Sequence, residues 1–390
     1  MKRLIFIFFM FLLLLSGCLK SLPIDQYCYV IDIGVERGER LPYLVTLLIN
    51  SPAAGSGESE STGEVAAVTA EGRSLFEAIE TLSAGMANEF NFSRVSLLTF
   101  SRDLAHEGEI EELMNIALGK LKIRANTRVM IVESDVKAML EGAVSASDPS
   151  TGKLKIKVEN AVLSSGMVVD IKWSELKEAF ESKTHDALVG FCAVNESEIR
   201  AVDMAGGDEY PYFGGSLLIE GELKTTIMGS AVFADDRMVG ILDGQNTMLV
   251  QIATGAFSKG RIRLSYGNGK ELSVMLYKDA TPRLSLEKDR VSFHIELNAD
   301  IEMPEIMENA KAGELEALVQ EYLRERLINV FKATRDAGAD VFGVGKAAIK
   351  EFDSAGDWEA YDWKGRFSQL QASFTIAIRI GESPDDIALE

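Results

Sequence analysis

The sequence predicts an α+β protein of three mixed α/β domains, each a sheet backed by helices. Strand-like and helix-like segments alternate over residues 29–145, the pattern of a sheet with helices packed on it. From about Gly260 the pattern turns to consecutive strands and then one long amphipathic helix, which predicts an antiparallel sheet with helices on one face. The length of 390 residues allows two or three packed cores, and a composition of 47% hydrophobic and 26% charged residues is that of globular material.

The chain opens with Lys2 and Arg3, an apolar run Leu4–Leu14, and Leu15-Ser16-Gly17-Cys18. A basic start, a short apolar core and small residues before a cut define a secretory signal. The run is shorter than the ~20 residues that span a bilayer. A cut before Cys18 resembles a bacterial lipobox, in which the cysteine sulfur receives a diacylglyceryl group and the residue becomes the new N-terminus. Residues 1–17 are therefore expected to be a lipoprotein signal peptide, Cys18 the lipid attachment site, and residues 18–28 the lipidated N-terminus and spacer. The remainder is expected to be a body tethered on the extracytoplasmic face of a membrane.

Loss of Lys2 and Arg3 takes the net charge from −20 to −22. So acidic a body repels phosphate backbones and anionic headgroups. That argues against a nucleic-acid partner and leaves the acyl anchor, rather than a basic patch, to hold the membrane. Cys28 and Cys192 both lie in apolar strand-like runs. Two readings stay open for them: an extracytoplasmic disulfide or two buried free thiols.

The first domain, residues 29–145, begins with strands over Tyr29–Glu36 and Tyr43–Asn50 around the turn Glu36–Arg40, a hairpin signature. Ser51–Gly63 reads as a loop and Glu64–Ala70 as a strand. Ser74-Leu-Phe-Glu77 fits a capping box, with Leu75, Ile79, Leu82 and Met86 on one helical face after it. Ile110, Leu113, Met114, Ala117 and Leu118 predict a second helix. Val95–Phe100 and Val129–Val132 read as strands, and Ser134–Glu141 as a short helix.

Gly142–Gly152, rich in Ser and Gly with an Asp-Pro pair, suggests a boundary. The middle domain, residues 146–260, is expected to hold a helix around Trp173, Leu176 and Phe180, an apolar segment Ala187–Val194, strands at Leu217–Ile219 and Leu223–Met228, and a hairpin turning at Asp235-Asp236. The C-terminal domain, residues 261–385, pairs Arg261–Tyr266 with Glu271–Tyr277 around Gly267-Asn-Gly-Lys270. Strands Arg283–Leu286 and Val291–Leu297 follow. A helix over Glu314–Thr334 places Val319, Leu323, Leu327, Val330 and Phe331 on its buried side, and Phe374–Ile380 closes as a strand.

The chemistry-bearing residues do not assemble into a catalytic motif. His106, His185 and His294 stand alone, without neighbours at metal-ligand spacing. Gly343-Val-Gly-Lys346 echoes a phosphate loop, yet Asp340 stands where that motif needs its first glycine and Ala347 where it needs a hydroxyl. A helix-to-helix turn accounts for the glycines. Asp235 and Asp236 are expected to be ionised in a solvated turn. Trp173, Trp358 and Trp363 at helical spacing are expected in the core. No cofactor or metal is expected, and the chain reads as a non-enzyme.

Four ordered stretches resemble one family, the Ger(x)C lipoproteins, C subunits of nutrient germinant receptors in endospore-forming bacteria. They are the lipobox followed by a strand with Asp32-Ile-Gly34, Glu71-Gly-Arg-Ser-Leu-Phe-Glu-Ala-Ile79, Gly229-Ser-Ala-Val-Phe233 with Met238-Val-Gly240, and Asp340-Val-Phe-Gly343-Val-Gly345 with Trp358 and Trp363-Lys-Gly-Arg-Phe367. Two stretches depart from the pattern. Phe92-Ser-Arg94 replaces a glycine-histidine pair, and Gly119-Lys-Leu-Lys-Ile-Arg124 keeps only the last arginine of a family run. The resemblance implies three mixed domains in an elongated arc on the outer face of the spore inner membrane. It also implies partnership with integral-membrane A and B subunits, and a need for the protein in nutrient-triggered germination. It carries over no catalytic residue. The other reading weighed is a solute-binding lipoprotein of an importer, which calls for two similar lobes around a cleft.

Overall fold

The computed structural model describes residues 26–50, 65–133, 135–145, 153–195, 202–206, 212–217, 219, 225–266, 270–287, 289–302 and 311–381. The signal segment and Cys18 lie outside these residues, as do Ser51–Gly63 and most of 196–224.

Among the described residues ten strands form the first sheet: β1 (Tyr27–Arg37), β2 (Tyr43–Asn50), β3 (Val65–Gly72), β4 (Glu89–Asn91), β5 (Leu97–Ser101), β6 (Arg128–Val132), β7 (Ile171–Lys172), β8 (Leu188–Val194), β9 (Thr225–Ala234) and β10 (Arg237–Leu242). Their order is β10-β9-β8-β6-β5-β1-β2-β3, with β4 beside β1 and β7 beside β6. The central neighbours β1/β5, β5/β6 and β6/β8 run parallel. Parallel strands need crossovers that cover both faces, so they read as continuous apolar runs. Leu97–Ser101 is buried at every position.

One face carries α1 (Leu75–Ala84), α3 (Ile110–Leu121) and α6 (Trp173–Glu181), with α2 (Arg102–Glu107) beside them. The other carries α4 (Val136–Ser145) and α5 (Lys153–Ser165), whose Val136, Met139, Leu140 and Val158 pack on Ile31, Leu97 and Met130. The predicted cap is present: Ser74 Oγ accepts from Glu77 N–H at 3.2 Å, and Glu77 reaches back to Arg73 N–H at 2.8 Å. Glu36 does the same for α4 across the sheet, accepting from Val136 and Lys137 N–H. That carboxylate lies one hundred residues away in sequence, beyond the reach of any local motif.

Composition suggests a boundary near residue 145, but the sheet continues across it. Met130 of β6 pairs with Gly190 of β8. The strand expected to end at Met228 and the first arm of the hairpin at Asp235-Asp236 are one strand, β9, with a register shift opposite Gly190/Cys192. Gly229 sits there at φ 89°, and an added Cβ would meet Leu242 O at 2.7 Å.

The second sheet, order β11-β12-β14-β13 with β15 on the far side of β14, comprises β11 (Lys259–Tyr266), β12 (Lys270–Lys278), β13 (Arg283–Glu287), β14 (Arg290–Ile301) and β15 (Gln371–Ile380). β15 joins β14 in parallel. The alternation along β11 puts one face in water and one under α8 (Ala312–Asp336). Leu315, Val319, Leu323, Leu327, Val330 and Phe331 form the buried stripe of α8. Phe293, Phe331, Phe342 and Phe374 close this core, with Phe293 and Phe374 stacked at 4.8 Å. Each fully buried side chain of this size contributes about 1.5–3 kcal/mol over exposure.

A helix the sequence pattern does not announce, α7 (Gly244–Thr254), lies between the sheets. Every residue from Gly244 to Ala253 is buried.

Candidate functional site: the junction between the sheets

Asp340 follows α8 and precedes α9 (Val344–Ala348). Its Oδ1 accepts from Val344 N–H at 2.9 Å and its Oδ2 from Gly345 N–H at 2.7 Å. The Trp363 side chain bonds it as well. Its own N–H donates to Asp186 Oδ2 at 2.8 Å, and its carbonyl accepts from Asp186 N–H at 3.0 Å. Asp186 Oδ1 accepts in turn from Asp235 N–H at 2.8 Å, in the β9–β10 turn. The Asp235 carboxylate pairs with Lys364 on α11 (Trp363–Phe367). Two elements of the first sheet and two of the second unit thus close one polar clasp.

Close packing supports the clasp. An added Cβ on Gly345 would stand 2.4 Å from Thr184 O and 2.6 Å from Trp363 Nε1, so only glycine fits. Trp363 stacks on Trp358 of α10 (Ala355–Ala360) at 5.6 Å. Burial pushes the Asp340 carboxyl up to about 7, against the Gly345 and Val344 donors that favour its charged form. Burial raises Asp186 too. A second polar contact joins α8 to α7: Tyr322 Oη donates to Gln245 Oε1 and Arg326 to Asn246 Oδ1, both at 3.2 Å. Asn246 Nδ2 donates to Asp203, whose carboxyl burial and neighbouring Asp243 push up to about 7.

A cleft of about 640 Å³ opens beside the clasp. Leu188, Val250, Leu284 and Phe342 give it apolar walls, and Glu178, His185 and Lys346 give it a polar rim. Burial, and then the charge of Lys346, lower the His185 pKa. Among the described residues no group of three or more His, Cys, Asp or Glu is placed to hold a metal ion. The arrangement binds two units together and offers a small recess. At its rim His185 Nδ1 lies 2.9 Å from Ser182 Oγ, and His185 Nε2 lies 3.9 Å from Glu178 Oε1.

The residues singled out from sequence separate here. Cys18 lies outside the described residues. Cys28 and Cys192 are buried free thiols, and burial pushes Cys192 up to about 12. His106 Nδ1 donates to Met238 O at 2.7 Å and ties α2 to β10, while His294 is exposed on β14. Gly343 begins α9 at φ 67°, a turn. Trp173, Trp358 and Trp363 are buried. Asp235 is exposed, as a solvated turn requires, yet it is also a clasp member. Asp186 carried no sequence signal of its own. Asp340 was visible only as part of a motif.

The fold is a mixed α/β scaffold of two sheets backed by helices, joined by a polar clasp. A family model described as "Spore germination protein N-terminal domain" matches residues 20–192, and one described as "Spore germination B3/GerAC like, C-terminal" matches residues 228–383. The fold is similar to that of a solved structure titled "Crystal Structure of the GerBC protein", with a TM-score of 0.53 over 90% of this chain and 97% of that one at 11% identity. No curated protein matches the chain. The chain belongs to the Ger(x)C family of spore germination receptor subunits.

Proposed function

We propose that this protein is a membrane-tethered, non-enzymatic subunit of a spore nutrient germinant receptor, needed for nutrient-triggered germination. The observation that carries the reading is the ordered match of both family domains across residues 20–192 and 228–383. The lipobox Leu15–Cys18 supplies the tether. A diacylglyceryl group on Cys18 would hold the body on the outer face of the spore inner membrane, beside integral-membrane A and B subunits. Two or more acyl chains give stable anchoring at ~0.8 kcal/mol per buried CH₂. The tether raises the effective concentration of subunits in the same plane.

The junction suits a positioning role. Its polar groups are matched by partners, so it fixes how the two sheets present their outer surfaces. The cleft lies between unlike units and so lends no support to an importer's solute-binding lobes.

Replacing Cys18 with Ala tests the reading. The expected result is a folded protein that is unprocessed or poorly retained in the membrane fraction, with nutrient-triggered germination impaired and germination by non-nutrient agents intact. Full membrane retention with full nutrient response would remove the lipid from the account. Unchanged germination with every nutrient after deletion of the gene, in a strain lacking redundant receptors, would remove the receptor role.

A further inference from the structure

Net charge is a whole-body quantity, and the structure distributes it unevenly. Strands β1, β5 and β6 are parallel neighbours, with Asp32, Leu97 and Arg128 in one cross-strand row. The segments that enter these strands therefore emerge at one edge. Into that edge run Tyr27 and Tyr29 of β1, Arg94 ahead of β5, and the 119–127 segment ahead of β6.

The 119–127 segment alternates. Lys120, Lys122 and Arg124 are exposed, Leu121 is half-buried, and Ile123 is buried. Lys122 takes a left-handed conformation, φ 56°, that ends α3 and starts this alternation. The edge is held in shape: Thr127 Oγ1 donates to Val95 O, Thr127 N–H to Arg124 O, and Trp173 N–H to Thr127 O. The Arg94 guanidinium lies 4.2 Å over the Tyr29 ring, which is 6.3 Å from that of Tyr27.

Some cations are matched with acids: Arg102 with Glu133 and, in the edge row itself, Arg128 with Glu159 and Asp170. Among the described residues no ion pair joins Arg94, Lys120, Lys122 or Arg124 to a carboxylate. Glu89 is exposed opposite Tyr27, Glu175 is engaged by the Lys172 N–H and Nζ, and Lys120 lines a recess with Glu111, Glu112 and Asp236.

The Phe92–Arg94 and Gly119–Thr127 segments meet at this edge through Thr127 Oγ1, which donates to Val95 O. It is also where the chain arrives from Cys18. Tyr27 is nine residues on from Cys18, and at 3.3–3.6 Å per residue the span is at most about 30 Å. We propose that the edge formed by Tyr27, Tyr29, Arg94, Lys120, Lys122 and Arg124 docks on anionic lipid headgroups. Cations beside a negative surface attract it within a Debye length of about 8–10 Å, while the acidic charge of the far body is screened. Tyrosine rings suit the headgroup depth, apolar in body and polar at the tip. The expectation that acyl chains alone hold the membrane is thereby extended: the lipid retains the body, and this edge orients it.

The proposal rests on the tethered reading for its geometry. The test uses the full chain on vesicles of neutral phosphatidylcholine and of phosphatidylcholine with phosphatidylglycerol, with hydrogen exchange followed over residues 86–96 and 119–127. Exchange in both segments should slow on the anionic vesicles only, and high salt should reverse it. Lys120→Glu, Lys122→Asn and Arg124→Glu together should lower docking on the order of a hundred-fold, about five-fold per cation. Lys332→Glu, Lys350→Glu and Arg290→Asn, an equal change of charge on the other unit, should leave it intact.

No slowing on anionic vesicles, equal slowing on neutral ones, or an equal loss in the control variant would overturn the edge. The mass of the Cys18 peptide in the same sample decides the tether separately. If Cys18 carries no lipid, flotation of the parent chain and the edge variant with anionic vesicles still decides the edge, and equal flotation overturns it.

Discussion

At the start of β1, β5 and β6, the cations Arg94, Lys120, Lys122 and Arg124 face solvent. At the junction, by contrast, Asp186 and Asp340 accept from five N–H groups between them and Lys364 meets Asp235. Both regions are polar and both are assembled from distant segments. They differ in what their charges are for. A buried carboxylate is tolerated only when its lone pairs are filled, because desolvation costs more than any single bond returns. An exposed cation needs no such filling and stays available to another surface. The comparison predicts that changes at the junction cost stability and that changes at the edge cost binding.

The largest loss should come from the core that backs the clasp. Phe331→Ala removes a ring touching Phe293, Phe342, Phe367 and Phe374 and should cost about 3–5 kcal/mol, read as a lower urea midpoint. Asp340→Ala leaves the Val344 and Gly345 N–H groups buried without acceptors and should cost about 2–4 kcal/mol. A loss below that of an ordinary surface change would show that the clasp is ornamental to the fold.

The clasp also carries a pH signature. The Asp340 carboxyl goes from an ordinary 3.8 up to about 7 in the fold, with burial as the main cause. Between those values the folded protein holds a proton that the unfolded chain has released. The stabilisation is complete below the lower value and is lost as pH rises through the upper one. The urea midpoint should therefore fall from about pH 4 to about pH 7 and level off above it, a range in which Asp32, Glu36 and Asp203 titrate in the same sense. Asp340→Asn should flatten part of that slope; an unchanged slope would assign the whole of it to the other three.

Smaller effects complete the contrast. Both side chains of the Lys364–Asp235 pair are about half exposed, so Lys364→Ala should cost no more than about 1 kcal/mol. The Lys120, Lys122 and Arg124 variant should change stability by less than about 0.5 kcal/mol in the absence of lipid. If it unfolds the protein as readily as Asp340→Ala, the division between the two regions fails.

The two helices at the junction show how unevenly the fold could be read. α8 repeats its apolar residues along one face, so its register and buried side follow from spacing alone. α7 is enclosed on all sides, carries Gln245, Asn246, Thr247 and Gln251 inside, and has no periodic face to detect. Its polar residues are tolerated because Tyr322, Arg326, Ser230 and the 166–168 backbone meet them. The same limit applies to the boundary near residue 145: a Ser/Gly-rich stretch registers local composition, while the pairing of β6 with β8 bridges some sixty residues.

By itself the sequence determined what short spacing can encode. That comprises the Ser74 cap, the β11–β12 hairpin, the stripe of α8 and the family motifs. Tertiary structure alone decided which distant groups meet. Asp186 joins Asp340 only because β8 and the α8–α9 turn come together. The cations at 94 and 120–124 share an edge only because β1, β5 and β6 run parallel. Capping and amphipathic burial act over a few residues, so they are written locally. Strand pairing and desolvation act between segments brought together by the fold, so their outcome depends on the whole chain.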